Sequence, residues 1–235
     1  MIEETKKTSL SYQRLLLLLV LYFVGFTMIL PDLLKKITLF LDPYAVVINI
    51  PILLVSYLVI TLLAIYIALP VWKSSIQNFI AHKKEGITMI FISIVAILCI
   101  NFALSAIISI LTQTSNSQNQ EVVIENVKIS PLYSFFYTCM IAPILEETIF
   151  RAGVFTFIRK HGGYIPALLI SSFLFGFIHV MNSFTLGNFA DLAYLLVYAG
   201  VGLVLGIAYE KSDSVLVSIG IHAGNNLFAF LLMMI

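Results

Sequence analysis

The residues most able to do chemistry in this sequence are a few polar side chains set in long apolar stretches of its C-terminal half. Five of them are ionisable and one is a carboxamide. An ionisable side chain at bilayer depth costs roughly 2.5 kcal/mol or more, so we expect these residues to be functional. The six are Glu146, Glu147, Arg151, His179, His222 and Asn226.

The spacing of the three residues between positions 146 and 151 separates their roles. On a helix, Glu147 and Arg151 are four residues apart with the acid first, which is the favourable order for an ion pair. Each would neutralise the other in an apolar setting, so we predict a mainly structural pair. Glu146 is rotated by about 100° from this pair. It has no basic residue three or four positions away, so its carboxylate must face another helix.

Two further pairs lie four residues apart and so share a helix face: Phe175 with His179, and His222 with Asn226. A carboxylate beside an imidazole can hold and deprotonate a water molecule. A second histidine and an asparagine amide can donate hydrogen bonds to an oxyanion. Together with Glu146, these residues predict hydrolysis of a peptide bond by activated water, without a serine or cysteine nucleophile.

The same residues leave a metal mechanism open. Glu146, His179 and His222 could form a zinc site with two histidines and one carboxylate. However, the sequence has no H-E-x-x-H helix, and the amide of Asn226 is a poor zinc ligand but a good hydrogen-bond donor. We favour a glutamate-type peptidase without a cofactor, with a zinc metalloprotease as the alternative.

The composition indicates which elements must position these residues. Of the 235 residues, 60% are hydrophobic and 11% are charged, and the mean hydropathy is +1.04. Soluble domains carry about 25% charged residues, so this composition excludes them. A net charge of +1 offers no basic surface for nucleic acid. We therefore predict an all-α polytopic membrane protein.

About seven stretches are long enough to cross a bilayer, which needs roughly 20 helical residues. Glu146 in the fourth, His179 in the fifth and Asn226 in the seventh fall roughly 17–20 Å from one membrane face, at about 1.5 Å per residue. Small residues at four-residue intervals in the last three spans predict close helix packing. We separate residues 1–130, the N-terminal membrane helices and an outer loop, from 131–235, a catalytic helical core of the same membrane domain. The predicted spans are Leu15–Leu30, Ala45–Leu69, Ile87–Leu111, Leu132–Ile158, Pro166–Val180, Leu192–Tyr209 and Val215–Ile235.

The connections between the spans suggest an orientation in the cell membrane. The distribution of lysine and arginine places the N-terminus in the cytoplasm. Although Lys6 and Lys7 precede the first span as in a signal peptide, no small-residue cleavage site follows it, so we expect it to be retained. The segment Thr112–Ser130 is then the longest outer loop. Trp72–Lys84 and Pro31–Pro43 are predicted to be short interfacial helices.

Three motifs, in this order and on membrane helices, resemble those of a known family. Residues 146–151 have the pattern EExxxR, residues 175–179 the pattern FxxxH and residues 222–226 the pattern HxxxN. These motifs are similar to those of the CPBP family, also called Abi, which comprises CAAX proteases and bacteriocin-processing enzymes. The chain resembles the type II CAAX prenyl endopeptidases of that family, which are intramembrane glutamic or metallo endopeptidases. The resemblance covers roughly Pro131–Phe230.

The resemblance implies a role for each motif residue. Glu146 would be the general base that activates water, helped by His179. His222 and Asn226 would form the oxyanion hole. The residues that support this geometry would be Glu147, Arg151 and Phe175.

The resemblance also implies a function. The protein would be a membrane-embedded endopeptidase in contact with lipid, acting on a peptide or protein substrate that is lipidated in some family members. Its biological context would be peptide maturation or bacteriocin self-immunity. The alternatives are a non-catalytic immunity or binding protein that sequesters a peptide or a partner membrane protein, and a transporter that relays protons.

Overall fold

The computed structural model describes residues 8–45 and 48–235, and every regular element in these residues is helical. Lys6 and Lys7 lie outside them. Several α-helices are joined end to end by the π-helical segments Val20–Ile29, Tyr137–Ile141 and Thr148–Phe155, and a 3-10 turn, Asp191–Tyr194, precedes another. The α-helices, numbered α1 to α12 in chain order, are Tyr12–Leu19, Leu30–Leu41, Ile50–Ile67, Leu69–Ala81, Lys83–Thr112, Gln118–Ile129, Pro131–Phe136, Ala142–Glu147, Thr156–Gly162, Tyr164–Thr185, Leu195–Ser212 and Val215–Met233.

Six helices within the described residues are long and apolar enough to cross a bilayer. They correspond to six of the seven predicted spans. The remaining one, Leu132–Ile158, lies in an unbroken run of α- and π-helical segments from Pro131 to Gly162, where the EExxxR motif lowers the hydropathy. The predicted all-helical membrane architecture is therefore confirmed. The six helices are Tyr12–Leu41, Ile50–Ile67, Lys83–Thr112, Tyr164–Thr185, Asp191–Ser212 and Val215–Met233.

Two predicted connections differ from the structure. Pro31–Pro43 is not a separate interfacial helix, because α2 continues the first span without a break. Pro31 therefore lies inside a continuous helical run, directly after the π-helical segment Val20–Ile29, and it removes one backbone hydrogen bond there. Thr112–Ser130 is not an open loop, because it contains α6. The hydroxyl of Ser117 begins this helix by accepting a hydrogen bond from the backbone N–H of Gln120.

The predicted interfacial helix Trp72–Lys84 corresponds to α4, which packs on the protein along one face. Trp72 Nε1 donates a hydrogen bond to Thr148 Oγ1 at 3.1 Å. Ile76 and Ile80, which follow Trp72 at four-residue intervals, are exposed. The helix therefore supports the segment that carries the EExxxR motif, and its interfacial position stays a prediction.

Helices α10 and α11 approach each other closely where small residues face each other. A Cβ atom added to Gly176 would lie 2.8 Å from the backbone nitrogen of Ala199, and one added to Gly202 would lie 2.9 Å from Ser172 Cα. In an apolar 18-residue stretch of α10 and of the span that contains α11, 39% and 44% of the residues are buried, against 11% in the corresponding stretches of α3 and α5. The small-residue spacing correctly predicted this tight C-terminal packing.

We expect Gly176→Ala to destabilise the protein by about 1–3 kcal/mol, because the new methyl group would collide with the backbone of α11. The free energy of unfolding in detergent measures this change. Gly25→Ala is the matched control, since its Cβ would come no closer than 3.8 Å to a neighbour. Equal stability of the two variants would show that α10 and α11 do not pack this closely.

Candidate active site

The ion pair that the spacing predicted lies at the junction of α8 and the π-helical segment after it. Arg151 Nε is 3.1 Å from Glu147 Oε2, and both side chains are fully buried, although the N–H bond is not aligned with that oxygen. The guanidinium also donates to Ser171 Oγ at 2.7 Å and to the carbonyl of Gly202 at 3.3 Å. It lies 5.2 Å from the centre of the Phe175 ring. Arg151 therefore ties the EExxxR segment to α10 and α11.

The backbone of the EExxxR motif is not a regular α-helix. Glu146 and Glu147 end α8, and the next eight residues, Thr148–Phe155, form a π-helical segment that is buried throughout. Such π-helical turns widen a helix and occur frequently at functional sites. The local geometry of the motif thus departs from the α-helical rotation of about 100° per residue on which the prediction relied.

Glu146 faces both histidines across the helix interfaces. Its Oε2 atom lies 3.8 Å from His179 Nε2 and 4.0 Å from His222 Nε2. These distances exceed the range of direct hydrogen bonds, which is about 2.7–3.2 Å. They are short enough for one water molecule to bridge the carboxylate to either ring. The Glu146 carboxylate therefore faces residues of other helices, as predicted, and not a partner on its own helix.

Hydrogen bonds orient both imidazole rings. His179 Nδ1 lies 2.8 Å from the carbonyl of Phe175, and His222 Nδ1 lies 3.2 Å from Glu147 Oε1. A carbonyl and a carboxylate only accept, so each Nδ1 carries the hydrogen. The Nε2 atoms are consequently the ones that face Glu146. Glu147 therefore orients His222 by a hydrogen bond, in addition to forming the ion pair with Arg151.

Asn226 is held by a backbone carbonyl of the π-helical segment Tyr137–Ile141. Its Nδ2 donates to the carbonyl of Thr138 at 2.8 Å. In this π-helical turn the N–H of Ala142 bonds to the carbonyl of Tyr137, and the next residue, Pro143, has no N–H to give. Asn226 therefore donates to a carbonyl oxygen that the proline leaves without a backbone partner. Its second Nδ2 hydrogen remains for another partner.

One cavity of about 630 Å³ joins the four predicted catalytic residues, Glu146, His179, His222 and Asn226. The ring of Phe175 lies against both histidines, with centroid distances of 4.9 and 5.4 Å. The structure thus brings the four predicted catalytic residues and Phe175 together at this cavity, whereas Glu147 and Arg151 do not line it and contact His222 and Phe175 instead. The catalytic roles of the four remain predictions.

Tyr198 is a site residue that no sequence motif indicated. Its ring stacks on His179 at 4.6 Å between centroids. Its hydroxyl lies 2.6 Å from Ser117 Oγ and 3.3 Å from Asn119 Nδ2 at the start of α6. Asp191, which is 4% exposed, also accepts a hydrogen bond from a backbone N–H of α6. Tyr198 therefore connects α6, which lines the cavity, to the ring of His179.

We expect Tyr198→Phe to loosen α6 while preserving the ring stacked on His179. Loss of the hydroxyl removes hydrogen bonds worth about 0.5–1.5 kcal/mol each, so the amide hydrogens of α6 should exchange roughly two- to tenfold faster. Hydrogen exchange followed by mass spectrometry measures this change. Tyr44→Phe, at a side chain that is 92% exposed, is the control and should leave α6 unchanged. Unaltered exchange in both variants would contradict the role of Tyr198.

The zinc alternative can be tested against the donor geometry. Ligand atoms around a tetrahedral zinc ion with bonds of roughly 2.1 Å lie roughly 3.4 Å apart, which is shorter than the 3.8 and 4.0 Å separating Glu146 from the two imidazoles. Within residues 8–45 and 48–235, no three His, Cys, Asp or Glu side chains are arranged to hold a metal ion. The side chains as placed do not fit zinc, so no step below involves a metal.

Comparison with known proteins places the resemblance in the same part of the chain. The family model described as type II CAAX prenyl endopeptidase Rce1-like matches residues 128–228. The membrane-embedded CAAX protease MroQ of Staphylococcus aureus (strain USA300) is 31% identical over 118 residues, covering 48% of this chain and 43% of MroQ. YdiL of Bacillus subtilis (strain 168) is 29% identical over 116 residues, covering 49% and 43%. The UPF0177 protein YvdC of Lactococcus lactis subsp. lactis (strain IL1403) is 30% identical over 144 residues, covering 58% and 52%.

These matches confirm the resemblance to the CPBP family that the three motifs predicted. The matched region, residues 128–228, contains every motif residue and begins just before α7. The aligned segments span only about half the length of these relatives, or less. No solved structure matches the chain significantly.

Proposed function

We propose that this protein is a membrane-embedded endopeptidase that hydrolyses a peptide bond with water activated by Glu146 and His179. The observation that carries the proposal is the position of the Glu146 carboxylate, 3.8 and 4.0 Å from two imidazoles in one cavity. The family likeness over residues 128–228 supports the same activity. The substrate is a peptide or protein segment that reaches this cavity.

The charges of the site favour one proton shared among its groups. With both histidines neutral, the carboxylates of Glu146 and Glu147 and the guanidinium of Arg151 carry one net negative charge. A single added proton makes the group neutral, which an apolar membrane interior favours. His222 is suited to hold this proton on Nε2, because Glu147 accepts the hydrogen bond from its Nδ1. The imidazolium can then donate to an oxyanion.

The reaction begins with a water molecule between Glu146 and His179. Glu146 accepts one proton of this water as its oxygen forms a bond to the carbonyl carbon of the substrate, while His179 Nε2 accepts a hydrogen bond from the other O–H. The carbonyl oxygen becomes an oxyanion. Hydrogen bonds from the protonated His222 and from the second Nδ2 hydrogen of Asn226 stabilise it.

The tetrahedral intermediate then collapses. The bond between carbon and nitrogen breaks, and protonated Glu146 returns its proton to the leaving amine. One water molecule is consumed, the products are a carboxylic acid and an amine, and His222 keeps its proton. Glu147 and Arg151 take no proton in this sequence and act by holding His222 and the helices in place.

Incubation of the purified protein in lipid nanodiscs with panels of peptides, followed by mass spectrometry, tests this function. The panels contain leader peptides and C-terminal tails, with and without a lipidated cysteine. We expect two fragments whose masses sum to the substrate plus one water. Binding of peptides without any cleavage would instead favour the sequestering protein that the sequence left as the alternative.

We propose that catalysis does not need a metal ion, since the donor spacing does not fit zinc. Dialysis against a chelator is therefore expected to leave the cleavage rate unchanged within about twofold. Elemental analysis of the same sample measures the bound metal. One zinc ion per chain, whose removal stops cleavage and whose return restores it, would overturn this proposal.

The membrane orientation is part of the proposal. The N-terminus is placed in the cytoplasm and the protein in the cell membrane, as the lysine and arginine distribution favours. Cysteine labelling from either side of sealed vesicles tests this placement, with single cysteines introduced in α6 and after α9.

A further inference from the structure

Three asparagines form a hydrogen-bonded row that starts beside the catalytic residues. Asn226 Nδ2 donates to the carbonyl of Thr138 at 2.8 Å, and Asn225 Nδ2 donates to Asn226 Oδ1 at 3.3 Å. Asn101 Nδ2, which comes from α5, donates to Asn225 Oδ1 at 3.4 Å. All three side chains line the cavity that contains Glu146. We call them the carboxamide row.

The direction of the hydrogen bonds in the carboxamide row is fixed at one end. The carbonyl of Thr138 can only accept, so Asn226 must present its nitrogen there and its oxygen to Asn225. Asn225 must in turn present its nitrogen to Asn226 and its oxygen to Asn101. Asn101 then donates to Asn225 and keeps its own oxygen as the free end of the row. That oxygen, Asn101 Oδ1, is buried and has no hydrogen-bond partner among the described residues.

A buried acceptor without a partner is costly, by about 1–3 kcal/mol, and a substrate can satisfy it. A peptide presents backbone N–H groups along its whole length, and these are the donors that an acceptor at this position fits. Asn101 comes from the third predicted span, which supplies none of the motif residues. It therefore adds a contact from outside the EExxxR, FxxxH and HxxxN helices.

The rest of the cavity wall favours an uncharged peptide segment. Apart from Glu146 and the two histidines, the side chains that line it are neutral. Carboxamides and hydroxyls alternate with apolar groups, among them Leu98, Phe102, Phe228 and Leu232. Where the substrate contacts this wall away from the catalytic groups, a lysine or glutamate would be desolvated without an opposite charge beside it.

We infer that Asn101 is a substrate-binding residue whose Oδ1 accepts a hydrogen bond from one backbone N–H of the peptide. We also infer that the cavity selects segments without charged side chains at the positions that contact its neutral wall. Both statements deepen the proposed peptidase function and rest on it. The contact that they assign is between Asn101 and the peptide backbone, so it does not depend on the sequence of the substrate.

Amide-to-ester replacement along the backbone of a cleaved peptide tests this contact, because an ester removes one N–H without changing the length. At one position we expect the ester to lower kcat/KM about tenfold in the wild-type protein. In Asn101→Leu the same ester should cost no more than about twofold. The comparison is a ratio within each variant, so a general loss of activity in Asn101→Leu cancels. Asn188→Leu, at an exposed asparagine outside the cavity, is the control and should behave as the wild type does.

The dissociation constants of the same amide and ester peptides, measured with Glu146→Gln, report on Asn101 without any cleavage. An ester that weakens binding or cleavage equally with and without the Asn101 side chain at every position would overturn the contact. Lysine or glutamate placed in turn along the segment on either side of the cut bond should lower kcat/KM at least tenfold at the positions that contact the neutral wall, and equal cleavage of all these peptides would overturn the selection for uncharged segments. If no peptide is cleaved but the ester still weakens binding only when Asn101 is present, the peptidase proposal fails and the binding contact stands.

Discussion

Replacing Glu146 with glutamine is expected to lower the cleavage rate by roughly 10²–10⁴-fold, the typical contribution of a general base. Glutamine has nearly the same size but cannot take a proton from water. The substitution also removes one negative charge from a side chain that is 14% exposed and whose buried Oε2 has no hydrogen-bond partner in the described structure. We therefore expect the thermal midpoint of unfolding to stay the same or rise. Cleavage followed by mass spectrometry and unfolding followed by intrinsic fluorescence measure the two effects.

Glu121→Gln is the control for this result, because Glu121 is exposed on α6. It makes the same chemical change outside the cavity and should leave the rate unchanged. A Glu146→Gln protein that cleaves at the wild-type rate would rule out Glu146 as the base. A variant that is inactive and also unfolded would be uninformative about the base, which is why both properties are measured on one sample.

Replacing Arg151 with methionine is expected to cause the largest loss of stability, about 3–5 kcal/mol. Arg151 and Glu147 are both fully buried, so methionine would leave the carboxylate of Glu147 charged and without its cation. The guanidinium bonds to Ser171 and Gly202 would also be lost. The unfolding midpoint should fall by roughly 6–20 °C.

A second substitution isolates the charge effect. In the double variant Glu147→Gln with Arg151→Met, no charge is left behind, and we expect it to recover at least half of the lost stability. Arg159→Met is the matched control, because Arg159 pairs with Glu210 at 3.0 Å where both side chains are partly exposed, and its loss should cost less than about 1 kcal/mol. Equal losses for Arg151→Met and Arg159→Met would contradict the buried role of Arg151.

Local spacing and hydropathy predicted much of this site from the sequence. Glu147 and Arg151 pair because a four-residue separation brings their side chains together on any helical segment of this kind. Glu146, His179 and Asn226 line one cavity because each lies at a similar depth in its span, and depth follows from counting residues at a fixed rise. Both features depend only on helix geometry and on the hydrophobic thickness of the bilayer.

Other parts of the site depend on contacts between distant segments. Tyr198 stacks on His179 through the packing of α10 with α11, and a tyrosine in an apolar helix gives no signal of that contact. Asn101 joins the site from α5 only because the row of asparagines continues across the helix interface. The π-helical turns around Pro143 shift the backbone register, and a fixed α-helical rotation does not predict such shifts.

The connections were the least predictable elements. α6 lies in a polar segment whose charged and amide residues are equally typical of a loop, and its helix is fixed by the cap at Ser117 and by contacts with Tyr198 and Asp191. Pro31 suggested an end to the first span, but the helix continues past this residue, directly after a π-helical segment. The local sequence pattern predicted neither the helix α6 nor the continuation of the helix past Pro31.

Cleavage of a defined peptide in water enriched in oxygen-18, with hydroxylamine present, tests most directly whether water activated by Glu146 cuts the bond. We expect the new carboxyl group to carry one oxygen-18 atom, with no hydroxamate formed, and the labelled product to disappear in Glu146→Gln. A hydroxamate product would reveal an acyl-enzyme intermediate. That result, or the same labelled product from Glu146→Gln at the wild-type rate, would contradict direct attack by water at this site.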